Sequence, residues 1–163
     1  MTTDPAAAAA RPRGEAEMKK RRSGIPSGNA GEYFVMGELL RRGYDAQLAD
    51  RNTKGYDILV GRPDDSALRK VQVKTVRTGA WFVELRNFTG DLLDQVTIYV
   101  RLGKERRAES VRYFITPNRE VAQCVDQRRW QKKLAFMSLN AVEPWEGRWE
   151  VLEPSHEAAR RAF

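Results

Sequence analysis

Cysteine and histidine are nearly absent from this chain of 163 residues, which has one of each, Cys124 and His156. A single thiol excludes an intrachain disulfide and fits a reducing compartment. It lies in the run Val121-Ala122-Gln123-Cys124-Val125, which reads as a packed core thiol rather than a nucleophile. A single histidine argues against His-based zinc sites and Ser-His-Asp triads. No apolar run is long enough to span a bilayer, and no apolar segment near the start reads as a secretory signal. The expectation is a cytoplasmic protein without a membrane partner.

Charge is plentiful: 29 Lys and Arg face 22 Asp and Glu, for a net charge of +7. That excess suits a polyanion such as nucleic acid, although many basic chains are merely soluble. Residues 1–24 hold an alanine tract, two prolines and the run Lys19-Lys20-Arg21-Arg22, and read as a disordered basic tail. Residues 25–153 read as one domain, and 154–163 as a frayed C-terminal tail.

The pattern predicts a helix capped by Ser27 or Asn29, with Val35, Met36 and Leu39 on its apolar face and Gly43 at its end. Strands are expected over Tyr44–Ala49, Tyr56–Gly61 and Arg69–Val76, the last two forming an antiparallel hairpin through Arg62-Pro63-Asp64-Asp65-Ser66. Ala80–Leu85 is expected to extend the sheet. Thr97–Leu102 and Val111–Thr116 read as further strands. Pro117 can start a short helix through Val125, and a second helix is expected from Asp126 to Met137. Trp145, Trp149 and Leu152 should pack back on the core.

Three sites stand out. Glu32 precedes Val35, Met36 and Leu39 by helical offsets, so a carboxylate lies on or beside the apolar face, where burial is costly without a partner. Asp57 opens the apolar run Ile58-Leu59-Val60, although strands are poor in acidic residues. Alternation sends Val71 and Val73 to one face of their strand and Gln72 and Lys74 to the other. Each has a plain alternative: an edge-of-face glutamate, a turn-capping aspartate and a solvent-facing polar pair.

In order, Gly31-Glu32, Gly55-Tyr56-Asp57 and Gln72-Val73-Lys74 resemble the PD-(D/E)XK nuclease superfamily. Leu39 and Leu40 followed by Arg42-Gly43-Tyr44 look similar to the helix-to-strand turn of archaeal Holliday-junction resolvases. Where the family usually has Asp or Glu, this chain has Gln72; in its Gln-x-Lys it resembles homing endonucleases associated with group I introns. The resemblance spans roughly residues 27 to 116. It implies an α/β, restriction-endonuclease-like core with a central mixed sheet flanked by helices, in the order α-β-β-β-α-β.

It also implies a metal-dependent endonuclease acting on DNA, with Glu32, Asp57, Gln72 and Lys74 as the active site. Asp57, the Gln72 side-chain oxygen and the Val73 backbone carbonyl would hold Mg²⁺, for which Mn²⁺ can substitute. Glu32 would hold a second ion or orient a water from outside the ligand shell, and Lys74 would position water or steady developing charge. No small-molecule cofactor is expected. Cutting both strands would suit a homodimer.

Arg128, Arg129, Lys132 and Lys133 form a basic stripe on the expected second helix, and Arg101, Lys104, Arg106 and Arg107 form a second patch. Both suit nucleic-acid phosphates, although a solvated face is the plain alternative. Trp81, Phe82 and Phe88 read as core in preference to base-stacking residues. Two other readings stay open: a nuclease-fold binding or assembly protein without catalysis, and an RNA-binding accessory protein.

Overall fold

A computed structural model describes residues 25–50, 53–63, 68–104, 110–125 and 134–153. Helix α1 (Ile25–Arg41) opens it. Val35 and Leu39 are fully buried, with Met36 packed beside them. Burying each of these aliphatic side chains is worth about 1.5–3 kcal/mol. The helix stops at Gly43, whose φ of 79° takes the left-handed conformation expected there. Its start is earlier than expected, at Ile25, which places Ser27 and Asn29 inside the helix rather than at its cap. Pro26 suits such a start, because its fixed φ is helical and its missing N–H would have no partner in a first turn.

The strands in chain order are β1 (Asp45–Leu48), β2 (Ile58–Gly61), β3 (Arg69–Val76), β4 (Trp81–Glu84), β5 (Val96–Arg101), β6 (Arg112–Pro117) and β7 (Leu134–Met137). Five of them form the main sheet, in the order β1-β2-β3-β5-β6. β3 and β5 run parallel and the other neighbours antiparallel, so the sheet is mixed. The expected hairpin forms, with Ile58 opposite Val71. Residues 64–67 of its turn lie outside the described residues.

Two elements depart from expectation. β4 does not extend the main sheet but pairs antiparallel with β7, Trp81 opposite Met137, in a second sheet. Leu134–Met137 is therefore a strand and not the end of a helix, and residues 126–133 lie outside the described residues. The spacing of Trp130, Leu134 and Met137 fits a helix, but burial of Ala135 and Met137 with Trp81 and Val83 favours the strand.

The main sheet is covered on both faces. α1, Trp149 and Leu152 pack over Val71, Val73, Ile98, Val100 and Ile115. Helix α2 (Asn118–Cys124), β4, β7 and the short α3 (Leu139–Val142) cover Tyr99 and Phe114 on the other. Trp145 joins this second cluster, so the C-terminal tryptophans do return to the core. Trp81 and Phe88 are core residues, whereas Phe82 is half exposed against Phe136. Cys124 is exposed at the last residue of α2, not packed inside; Val121 fills the core position of that run. The expected α-β-β-β-α-β order is not kept after β3: in place of a helix the chain passes to β5 through β4 and two 3-10 turns, Leu85–Phe88 and Gly90–Asp94, and α2 follows only after β6. Among the described residues no helix is long and apolar enough to cross a membrane.

Candidate active site

β2 and β3 part company at Asp57. Its N–H still bonds the Val71 carbonyl at 2.9 Å, but no β2 residue lies opposite Val73–Val76, which among the described residues pair with β5 alone. Val73 therefore turns an N–H toward an open edge. Asp57 Oδ2 accepts that N–H at 2.7 Å and also accepts the Gln72 amide, Nε2, at 2.5 Å. The carboxylate thus fills the notch between the parting strands. The N–H and C=O of one strand residue leave on the same side, so the Val73 carbonyl belongs to this edge too.

Alternation places Lys74 on the same face as Gln72, roughly 7 Å further along the strand. Its neighbour across the parallel pairing is Tyr99. Burial pushes the Tyr99 phenol above its ordinary value, against a smaller opposing effect of a hydrogen bond with Thr97, so it stays protonated and neutral. The Lys74 carbonyl accepts the Trp81 indole N–H at 2.9 Å, which ties β3 to the start of β4.

Glu32 arrives from the other face. It is half-buried on α1, next to Gly31, and Gly31 presses on Thr75, the residue after Lys74. The start of α1 is thereby held against the open end of β3. Direct contact joins Asp57, Gln72 and Val73. Lys74 shares β3 with Gln72 and Val73, and α1 brings Glu32 toward the same end of that strand.

Two residues escaped the sequence reading. Lys70 alternates with Gln72 and Lys74, and its Nζ lies 5.3 Å from the centre of the Tyr56 ring. The alternation carried that signal. Gln95, just before β5, donates from Nε2 to the Gly55 carbonyl at 2.5 Å, and no local pattern announced it.

Of the expected basic patches, Arg101 ends β5 opposite Val76 and Arg112, and Lys104 is exposed. Arg106, Arg107, Arg128, Arg129, Lys132 and Lys133 lie outside the described residues.

Among the described residues no three His, Cys, Asp or Glu side chains are grouped to hold a metal. The oxygen donors at or beside the notch are the Asp57 carboxylate, the Val73 carbonyl and the Gln72 amide, which turns its Nε2 to Asp57 and leaves its oxygen for another partner. Such a set of hard oxygens fits a single Mg²⁺-like cation that keeps several waters, and not a soft metal.

No family model and no curated protein matches the chain. Solved structures do. A bacterial homing endonuclease aligns with a TM-score of 0.54 and 14% identity, over 86% of this chain and 100% of that one. The Holliday junction resolvase Hjc of Archaeoglobus fulgidus aligns with a TM-score of 0.47 and 13% identity, over 73% of this chain and 88% of that one. The first likeness carries the assignment, and at such identity it fixes the fold alone. The chain shares that endonuclease's fold, an α/β, restriction-endonuclease-like core with a mixed five-stranded sheet.

Proposed function

We propose that the chain is a metal-dependent endonuclease that hydrolyses phosphodiester bonds in DNA, with Mg²⁺ or Mn²⁺ as its ion. One observation carries the reading: the Asp57 carboxylate is held in a sheet notch by Gln72 and the Val73 N–H, on the strand that bears Lys74. Asp57, the Gln72 oxygen, the Val73 carbonyl and Glu32 would hold the ion. A divalent cation bound there supplies Lewis-acid polarisation of the phosphate and of water. Lys74 orients the attacking water or balances charge developing on the phosphate. Lys70, Arg101 and Lys104 offer cations to the flanking backbone, and the net charge of +7 favours a polyanion throughout. Two copies, as a homodimer, would cut both strands. A cytoplasmic setting fits the single thiol.

A second reading, a nuclease-fold nucleic-acid-binding protein without catalysis, draws on the same contact. Asp57 Oδ2 already has two donors from the protein, and Gln72 adds no charge to attract an ion.

The test incubates the full chain with supercoiled and branched DNA in Mg²⁺, Mn²⁺ or EDTA, beside Asp57→Ala and Lys74→Ala. Metal-dependent cutting that both variants lose is the expected result. DNA binding without cutting, equal in all three proteins, supports the second reading. Cutting that survives both substitutions means the site lies elsewhere.

A further inference from the structure

The geometry points to Gln95 as a positioning residue for Asp57, a role that rests on the proposed nuclease site and adds a residue to it. Gln95 stands outside the main sheet's polar row, between the 3-10 turn Gly90–Asp94 and β5. Its side-chain N–H₂ crosses to the carbonyl of Gly55, two residues before Asp57, at 2.5 Å. Gly55 has a φ of 94°, so the chain turns there in a conformation other residues avoid. Tyr56 follows, under the Lys70 ammonium on the Gln72 side of β3. The segment leading into Asp57 is thus folded back over β3 and fastened from the far side of that strand.

The fastening is itself fixed. The Gln95 N–H bonds the Leu92 carbonyl at 3.2 Å, and the Gln95 carbonyl accepts the Asn118 N–H at 3.0 Å. Asn118 is almost fully buried; its amide donates to Leu92 O at 2.9 Å and accepts from the Thr97 hydroxyl at 2.7 Å. A continuous set of hydrogen bonds therefore runs from the start of α2 to the backbone that aims Asp57. Outer supports of this sort commonly change metal affinity or activity by about 10–100-fold when removed.

The experiment compares the full-length wild type with Gln95→Met, similar in length but without a donor, and Gln95→Lys, which restores one. Hydrogen exchange of the Val73 amide, measured without metal, reports whether Asp57 still accepts it. Exchange should quicken by about tenfold in Gln95→Met, the size of one net hydrogen bond, and return toward wild type in Gln95→Lys. Calorimetric titration with Mg²⁺ should show binding weakened by about 10–100-fold in Gln95→Met. Unchanged Val73 exchange in Gln95→Met overturns the inference, as does exchange in Gln95→Lys as fast as in Gln95→Met. A wild type that neither binds Mg²⁺ nor cuts DNA defeats the nuclease reading, while Val73 exchange still decides the role of Gln95.

Discussion

A Cβ built on Gly31 would lie 1.9 Å from the hydroxyl oxygen of Thr75 and 2.8 Å from two of its carbons. α1 therefore meets β3 through bare backbone, and Glu32 rides on that contact. Gly31→Ala must push the helix off the strand. Overpacking costs about 1–3 kcal/mol, of which better helix propensity returns about 1 kcal/mol. Urea unfolding should show a net loss, and cutting should fall because Glu32 retreats with its helix. A Gly31→Ala protein with wild-type stability and activity would show that the contact does not set the position of Glu32.

The same threonine supports a second prediction. Its Oγ1 is buried with no hydrogen-bond partner among the described residues. An unpaired buried hydroxyl is costly, and exchanging it for an apolar group of the same shape is neutral or favourable. Thr75→Val should leave the melting temperature unchanged or raise it, by up to about 1 kcal/mol of stability. A clear fall in Tm would reveal that the hydroxyl is bonded in solution.

Much of the site could be read from the chain because its signals are local. Val71-Gln72-Val73-Lys74 alternates, and a turn-rich link between two apolar runs implies a hairpin, so Asp57 beside Gln72 follows from pairing alone. Helical offsets put Glu32 beside the apolar face of α1, and only the family resemblance made it a candidate for the site. Other features depend on distant partners. Leu134-Ala135-Phe136-Met137 is apolar throughout, and only β4 decides that it is a strand. The helix over this run ends about where expected, but which of its apolar residues faces inward depends on the sheet beneath, and it is Val121 that is buried while Cys124 is exposed. Gln95 acts across 40 residues on a backbone carbonyl, which leaves no periodic trace.

Acid should loosen the C-terminal segment. Glu153 accepts from Arg62 at 2.5 Å and from the Tyr44 hydroxyl at 2.6 Å, while Arg62 stacks on the Tyr44 ring at 3.9 Å. Arg62 chiefly, and Tyr44 next, hold the Glu153 carboxyl below its ordinary value of 4.5. A depressed carboxylate stabilises the fold above its unfolded value, and that contribution fades as pH drops through the lower folded one. The difference in Tm between wild type and Glu153→Gln should be largest near neutral pH and shrink below pH 4.5. It should be small at any pH, because both side chains are more than a third exposed or close to it. A difference that persists unchanged into acid would assign the effect to shape rather than charge.

Gln72→Glu tests how the notch manages charge. The amide now donates to Asp57 Oδ2 at 2.5 Å, so a carboxylate in its place would set two negative groups against each other. In EDTA at neutral pH the variant should lose about 1–4 kcal/mol of stability, the size of like-charge repulsion between water-like and surface-like screening. One of the two carboxyls would then bind its proton more tightly in the fold than in the unfolded chain. Stability is in that case fully present at low pH and lost as pH rises, the reverse of the Glu153 behaviour. Mg²⁺ should reverse the loss, because a cation between two carboxylates removes the repulsion and gains a charged ligand. The measurement is Tm against pH for wild type and variant, with Mg²⁺ and with EDTA. Equal melting of the two proteins in EDTA at neutral pH would mean that Gln72 and Asp57 do not meet, and the proposed site would lose its central contact.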